Sequence, residues 1–171
     1  MYHKIKIMDI YNHKAYGQEL TRSLKLFQPQ ELESFFEATN SDTLYSIDQK
    51  LSSINYPCLV AIDGSDSDFR DNEAEALLKK PQYFFMFLKP AQSDDSVAII
   101  EAQKICAANA EQVMFQMLQE SGKHLKGLTG LQIDTFSIRS IGPIGDNLFG
   151  VILSFNLEYG IVHKKDLDFW V

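Results

Sequence analysis

From Phe149 to Ile161, seven successive odd positions are apolar: Phe149, Val151, Leu153, Phe155, Leu157, Tyr159 and Ile161. The even positions from 154 to 160 read Ser154, Asn156, Glu158 and Gly160. A period of two is the mark of a strand with one buried face. Residues 148–161 of this 171-residue chain would span roughly 46 Å as one unbroken strand. A compact domain of this size is only about 35–40 Å across. The strand must therefore bend over the core, end early, or project beyond it. Gly150 and Gly160 are the places where it can end or bend. A projecting strand exposes backbone donors and acceptors, which a neighbouring subunit can satisfy.

The rest of the chain supplies partners for this strand. Residues 4–11, "KIKIMDIY", alternate around Ile5 and Ile7 and read as a short strand or an arm. Tyr16, Leu20, Leu24 and Phe27 recur at helical spacing, and "PQELESFFEA" reads as a second short helix with Pro29 at its first position. Leu44, Ile47, Leu51 and Ile54 give a third helix, ended by Pro57. "CLVAI" and "QYFFMFLK" are apolar enough to be strands with no wet face. The acidic stretch from Asp63 to Glu75 reads as an exposed loop that turns helical around "NEAEALLKK". Ser93 and Asp94 start the strongest helix, with Ile99, Ala102, Cys106, Ala110, Val113 and Met117 on one face and Gly122 after its end. In "LQIDTFSIRS" the apolar set changes phase, which predicts a bulge near Asp134 and Thr135.

This order predicts an α+β fold. Its antiparallel sheet has about four strands and a long C-terminal β-hairpin, with helices packed on one face. One structural domain is expected, with residues 1–41 as an N-terminal arm and helices packed on a core formed by residues 42–171.

The formal charge of −7 argues against a nucleic-acid groove and against adhesion to an anionic membrane. The longest purely apolar run, "YFFMFL", is far short of a membrane span. No signal peptide is evident in "MYHKIKIMDIYNHK". Cys58 and Cys106 stand far apart in apolar contexts and read as packing residues in a reducing, cytosolic setting.

No catalytic motif emerges, and no catalytic residue, cofactor or metal ligand is expected. The acidic loop fails the calcium-loop pattern in both registers tried, because Arg70 and Asp71 fall at positions 5 and 6 in one and Ala74 at position 12 in the other. "GLTG" precedes a strand, which does not suit a clamp between two helices. The four histidines, His3, His13, His124 and His163, lack metal-ligand spacing. Two other readings stay open: a small α+β binding module with a ligand between helix and sheet, and a hydrolase in which acids such as Asp63 and Asp134 converge.

"YPCLVAI…QYFFMFL", a helix from Asp94 to Ser121 and the closing "IDTFSIRSIGPIGDNLFGVILSFNLEY" together resemble the order of elements in phage tail terminator (tail completion) proteins. The likeness covers residues 42–161. It implies a non-catalytic structural protein of a phage or prophage. Such a protein forms a ring, usually a hexamer, that caps the tail tube and joins it to the head, and it passes from the bacterial cytoplasm to the virion tail. The expected partners are other copies of the chain and tail-tube or head-connector proteins, with no nucleic acid and no membrane. Independently, hairpin geometry singles out the turn "IGPIGDN". Pro143, Ile144, Asp146 and Asn147 are the expected interface residues, with Ile144 displayed on a stiffened loop.

Overall fold

A computed structural model describes residues 10–28, 33–39, 49–63, 67–71 and 77–161. Helix α1 (His13–Ser23) is capped by Asn12, whose side chain accepts from the Ala15 amide at 2.9 Å. It stops at Leu24, which is extended, and a 3-10 turn, Lys25–Phe27, follows. The strands are β1 (Phe35–Thr39), β2 (Cys58–Asp63), β3 (Ser67–Asp71), β4 (Leu77–Pro90), β5 (Leu131–Ile144), β6 (Leu148–Leu157) and β7 (Tyr159–Ile161). Helix α2 (Ser96–Gly122) lies between β4 and β5. Its cap is Asp95, which accepts from the amides of Val97 and Ala98, so the helix begins slightly later than Ser93 and Asp94 suggest.

Among the described residues, seven strands form the sheet, in the order β1-β2-β4-β6-β5, with β3 and β7 both paired to β4. This corrects the expected sheet of about four antiparallel strands. The sheet is larger, and β1 pairs with β2 in parallel, Phe35 against Leu59 through Thr39 against Asp63. The fold is therefore mixed α/β. One of the added strands, β1, comes from "FFEAT", read above as helix. Leu32, Phe35 and Phe36 fit a helical period, but Phe35 packs on one face of the sheet and Phe36 with Ala38 on the other, a period of two. Once β2 offers an open edge, pairing outweighs local propensity. The acidic segment is corrected in the same way. Residues 67–71 form β3, and residues 77–80, expected to be helical, begin β4.

β4 explains its own composition. Phe85 and Phe87 point to the face covered by α1 and α2, where Tyr16, Leu20, Cys106, Ala110, Val113 and Met117 meet Val151, Leu153, Phe155 and Leu157. Met86 and Leu88 point to the opposite face and join Leu51, Cys58, Val60 and Leu148. Both faces are covered, so no polar alternation survives. The predicted stripe of α2 is the buried one, from Ala102 to Met117. The bulge is also where expected, because the β5–β6 register shifts between Gln132 and Ser137. Of the short strand or arm expected over residues 4–11, residues 4–9 lie outside the described residues and Ile10 and Tyr11 belong to no strand; the start of the third helix, through residue 48, also lies outside the described residues. α1 and β1 both come from residues 1–41; α1 packs on the main core and β1 joins the sheet.

The long alternating stretch pauses only at Glu158. β6 stops at Leu157, and Tyr159–Ile161 resumes as β7 against the next residues of β4 in unchanged register, Lys79 opposite Tyr159 following Gln82 opposite Asn156. The strand that outruns β2 and β3 beside it is β4. Its fourteen residues extend roughly 46 Å. Gln82–Pro90 pair with β6, whereas Leu77–Pro81 pair with β3 and Leu77–Lys79 with β7. The result is a three-stranded arm continuous with the main sheet.

Candidate functional site: a tyrosine-lined cleft at the root of the arm

The arm carries an exposed aromatic ring. Phe69 stands opposite Lys79, which stands opposite Tyr159, and Phe69 is 57% solvent-accessible. Residues directly opposite in adjacent strands share a face, so Phe69 and Tyr159 lie on the same side of the arm. That side continues the helix-covered face of the main sheet, because Tyr83 and Phe85 have the same parity along β4 as Lys79.

Where the helical layer stops and the arm goes on, a half-open cleft of about 700 Å³ forms. Tyr11, Tyr83 and Tyr159 line it, together with Ile10 and the backbone around Gly127–Gly130 and Glu158–Gly160. Each ring is held. Tyr83 stacks on Phe155 at 5.7 Å, Tyr11 meets Tyr83 edge-on at 5.1 Å, and the Tyr83 and Tyr159 hydroxyls are 3.2 Å apart. Gly130 closes one wall, since its carbonyl accepts from the Glu158 amide at 2.8 Å. A side chain at Gly130 would collide with the Glu158 carbonyl. Glu158 also pairs with Arg70 of β3 at 3.0 Å, which ties the arm to the end of β6.

A second, polar cleft adjoins it, lined by Asn12, His13, Lys14, Glu37 and Asp63. His13 is buried. Its Nε2 lies 2.9 Å from the Phe84 carbonyl and its Nδ1 lies 2.8 Å from the Tyr11 hydroxyl. The carbonyl can only accept, so Nε2 carries the proton and Nδ1 accepts from Tyr11. Burial pushes the imidazole down to about 4, against smaller raising effects of the Phe84 carbonyl, the Glu37 charge and the Ile62 carbonyl. Burial, then the Glu37 charge, raises the Asp63 carboxyl, with Lys79 opposing. Lys14 pairs with Glu37 at 2.9 Å.

The predicted interface lies at the other end of the sheet. Pro143, Asp146 and Asn147 are exposed, but Ile144 is half-buried. β5 continues through Ile144, which stands opposite Leu148 and packs on the second core cluster. The expected seven-residue turn with a displayed Ile144 is thus corrected to a short turn over Gly145–Asn147. That turn is anchored, because the Asp146 carbonyl accepts from Ser93 Oγ at 2.6 Å and the Asn147 carbonyl from the Ala91 amide at 2.9 Å.

Asp63 and Asp134 do not converge. They lie on β2 and β5, separated by β4 and β6, which places them roughly 14 Å apart by strand spacing. Among the described residues, no group of three or more His, Cys, Asp or Glu side chains is placed to hold a metal. Cys58 and Cys106 belong to different core clusters, and burial pushes the Cys106 thiol up to about 11. No helix among the described residues is long and apolar enough to cross a membrane. No protein-family model matches the chain, and no curated protein matches it.

The arm and its cleft were missed by reading the sequence. The available signal was Phe69 within "SDFRD", an aromatic residue in the middle of an acidic stretch, where a solvated loop has no use for one.

Proposed function

We propose that the chain is a structural subunit of a phage or prophage tail, a tail terminator or head–tail joining component that self-associates into a ring. On this reading it is not a catalyst, it is made in the bacterial cytoplasm, and it ends in the virion tail. The observation that supports it best is the β3–β4–β7 arm. A strand that runs past the layer of helices presents Phe69 to solvent and, among the described residues, leaves the outer edges of β3 and β7 without a partner strand, and such edges are tolerable when a neighbour covers them. The arm takes over the contact role first assigned to the hairpin tip.

The test is the mass in solution over a concentration series, with and without tail tubes, for the native chain and for Phe69→Asp. Native chains that assemble into a defined oligomer, alone or on tubes, while the variant stays monomeric with an unchanged melting temperature, support the proposal. Native chains that remain monomeric under every condition refute it.

A further inference from the structure

We propose that the outer face of α2 is an interface for a second copy of the chain, packed antiparallel about a two-fold axis that passes between Ala107 and Ala108. One side of α2 is buried, from Ala102 to Met117. The opposite side is not uniformly polar. Val97, Ile100 and Phe115 stand on it at 73%, 51% and 49% exposure, with Lys104 and Glu111 between them, both exposed. At 3.6 residues per turn these five lie within about 60° of one another around the helix. Neither charge is used inside the chain. Among the described residues, Lys104 and Glu111 form no ion pair.

The occupant follows from the way this face complements itself. In a two-fold antiparallel pair of helices, residues equally far from the axis on its two sides meet across the contact. Lys104 and Glu111 are equidistant from the point between Ala107 and Ala108. So are Ile100 and Phe115, and so are Val97 and Leu118, which is half-buried. A single register therefore sets Lys104 beside the partner's Glu111, Ile100 beside the partner's Phe115 and Val97 beside the partner's Leu118. The two-fold repeats each contact. Ala107 and Ala108 flank the axis, and their small side chains let the helices approach closely. Opposite charges and apolar residues match in the same register, which a second copy supplies without any further partner. From Val97 to Leu118 the contact is about 32 Å long and one helix wide, less than a standard interface. Pairing is therefore weak and appears at about 100 µM and above, beyond the low-micromolar range in which ring formation is scored. The contact is separate from the arm and stands whether or not the chain forms rings.

The test is sedimentation equilibrium of the full-length chain carrying Phe69→Asp, which removes the arm contact, from about 10 µM to about 1 mM. The average mass should rise from monomer toward dimer. Lys104→Glu then sets two carboxylates against each other, and Glu111→Lys sets two ammonium groups against each other. Either change, added to Phe69→Asp, should weaken the dimer by about tenfold or more. An equal mixture of the two charge variants restores both ion pairs across the two-fold in the reverse sense, and it should dimerise about as well as the parent. Both positions are exposed, so the melting temperatures should match. A mass that stays monomeric up to the highest concentration overturns the proposal. So does a dimer indifferent to both charge changes, or a mixture that associates no better than its components. None of these results touches the ring reading, which is tested through Phe69.

Discussion

The Phe155 ring lies among Tyr83, Phe85 and Phe136 at centroid distances of 5.7, 6.0 and 5.8 Å and is fully buried. Phe155→Ala removes the ring from a site that neighbouring rings cannot easily refill, so it should cost about 3–5 kcal/mol in a denaturant melt. Asn156, next in the chain, points to the other face and is half-buried. Its amide donates to Thr135 through the backbone, which substitution does not touch. Asn156→Ala should cost far less, and equal losses would overturn the assigned faces. His13 adds a pH dependence. Its folded value lies near 4, against an ordinary value of 6.5. The unfolded chain therefore takes up a proton first as pH falls. The stability owed to the neutral ring is complete above pH 6.5 and is lost down to about pH 4, a span of about 3 kcal/mol. The groups facing it are Tyr11 and Lys14 beside it, Glu37 on β1, Asp63 on β2 and Tyr83 on β4. Asp63, whose carboxyl is raised, changes in the opposite sense and offsets part of the loss. Thermal melts between pH 7 and 4.5 should show a flatter dependence for His13→Leu than for the native chain. Parallel curves would remove His13 from the account.

At the scale of elements, β6 depends on one close approach. A side chain at Gly150 would put its first carbon 1.8 Å from the Phe87 carbonyl, in the middle of the β4–β6 ladder. Backbone cannot step aside there, so Gly150→Ala should cost about 3 kcal/mol or more, measured by the shift in urea midpoint. A nearly native midpoint would mean that the two strands are not so closely apposed. Gly150 reads from sequence as a bend or an end, but its role is strand contact. The same distinction separates what was legible from what was not. The stripe of α2 and the double-faced burial of β4 follow from side chains close in sequence. They could be read because period and composition are local properties. The parallel β1–β2 pair could not. "FFEAT" satisfies two periods at once, and only an edge supplied by residues some twenty positions later decides between them. The pause at Glu158 between β6 and β7 leaves no mark in the sequence, because Tyr159 and Ile161 keep the alternation going and pair with Leu77–Lys79 in the register that β6 already has on β4. At the candidate site the tyrosines are scattered at positions 11, 83 and 159, and no local pattern joins them.

For the whole molecule, the question is which end of the sheet meets a neighbour, and two substitutions separate the ends. At the hairpin, Ile144 is half-buried on the second core cluster. Ile144→Asp would place a carboxylate against Leu148, so its first effect should be on the fold, a loss of about 1–3 kcal/mol. At the arm, Phe69 is mostly exposed on a three-stranded extension. Phe69→Asp removes little from the monomer's own packing and should leave its melting temperature nearly unchanged. If the arm is the contact, Phe69→Asp abolishes assembly or tail completion with the fold intact, because it puts a charge into a desolvated interface. Ile144→Asp would then reduce assembly only as far as it reduces the folded fraction. Measuring both variants by thermal unfolding and by ring formation or tail completion decides the matter. A Phe69→Asp protein that assembles normally would exclude the arm. An Ile144→Asp protein that is fully folded yet unable to assemble would return the contact to the hairpin tip, because burial against the chain's own core would no longer account for that residue.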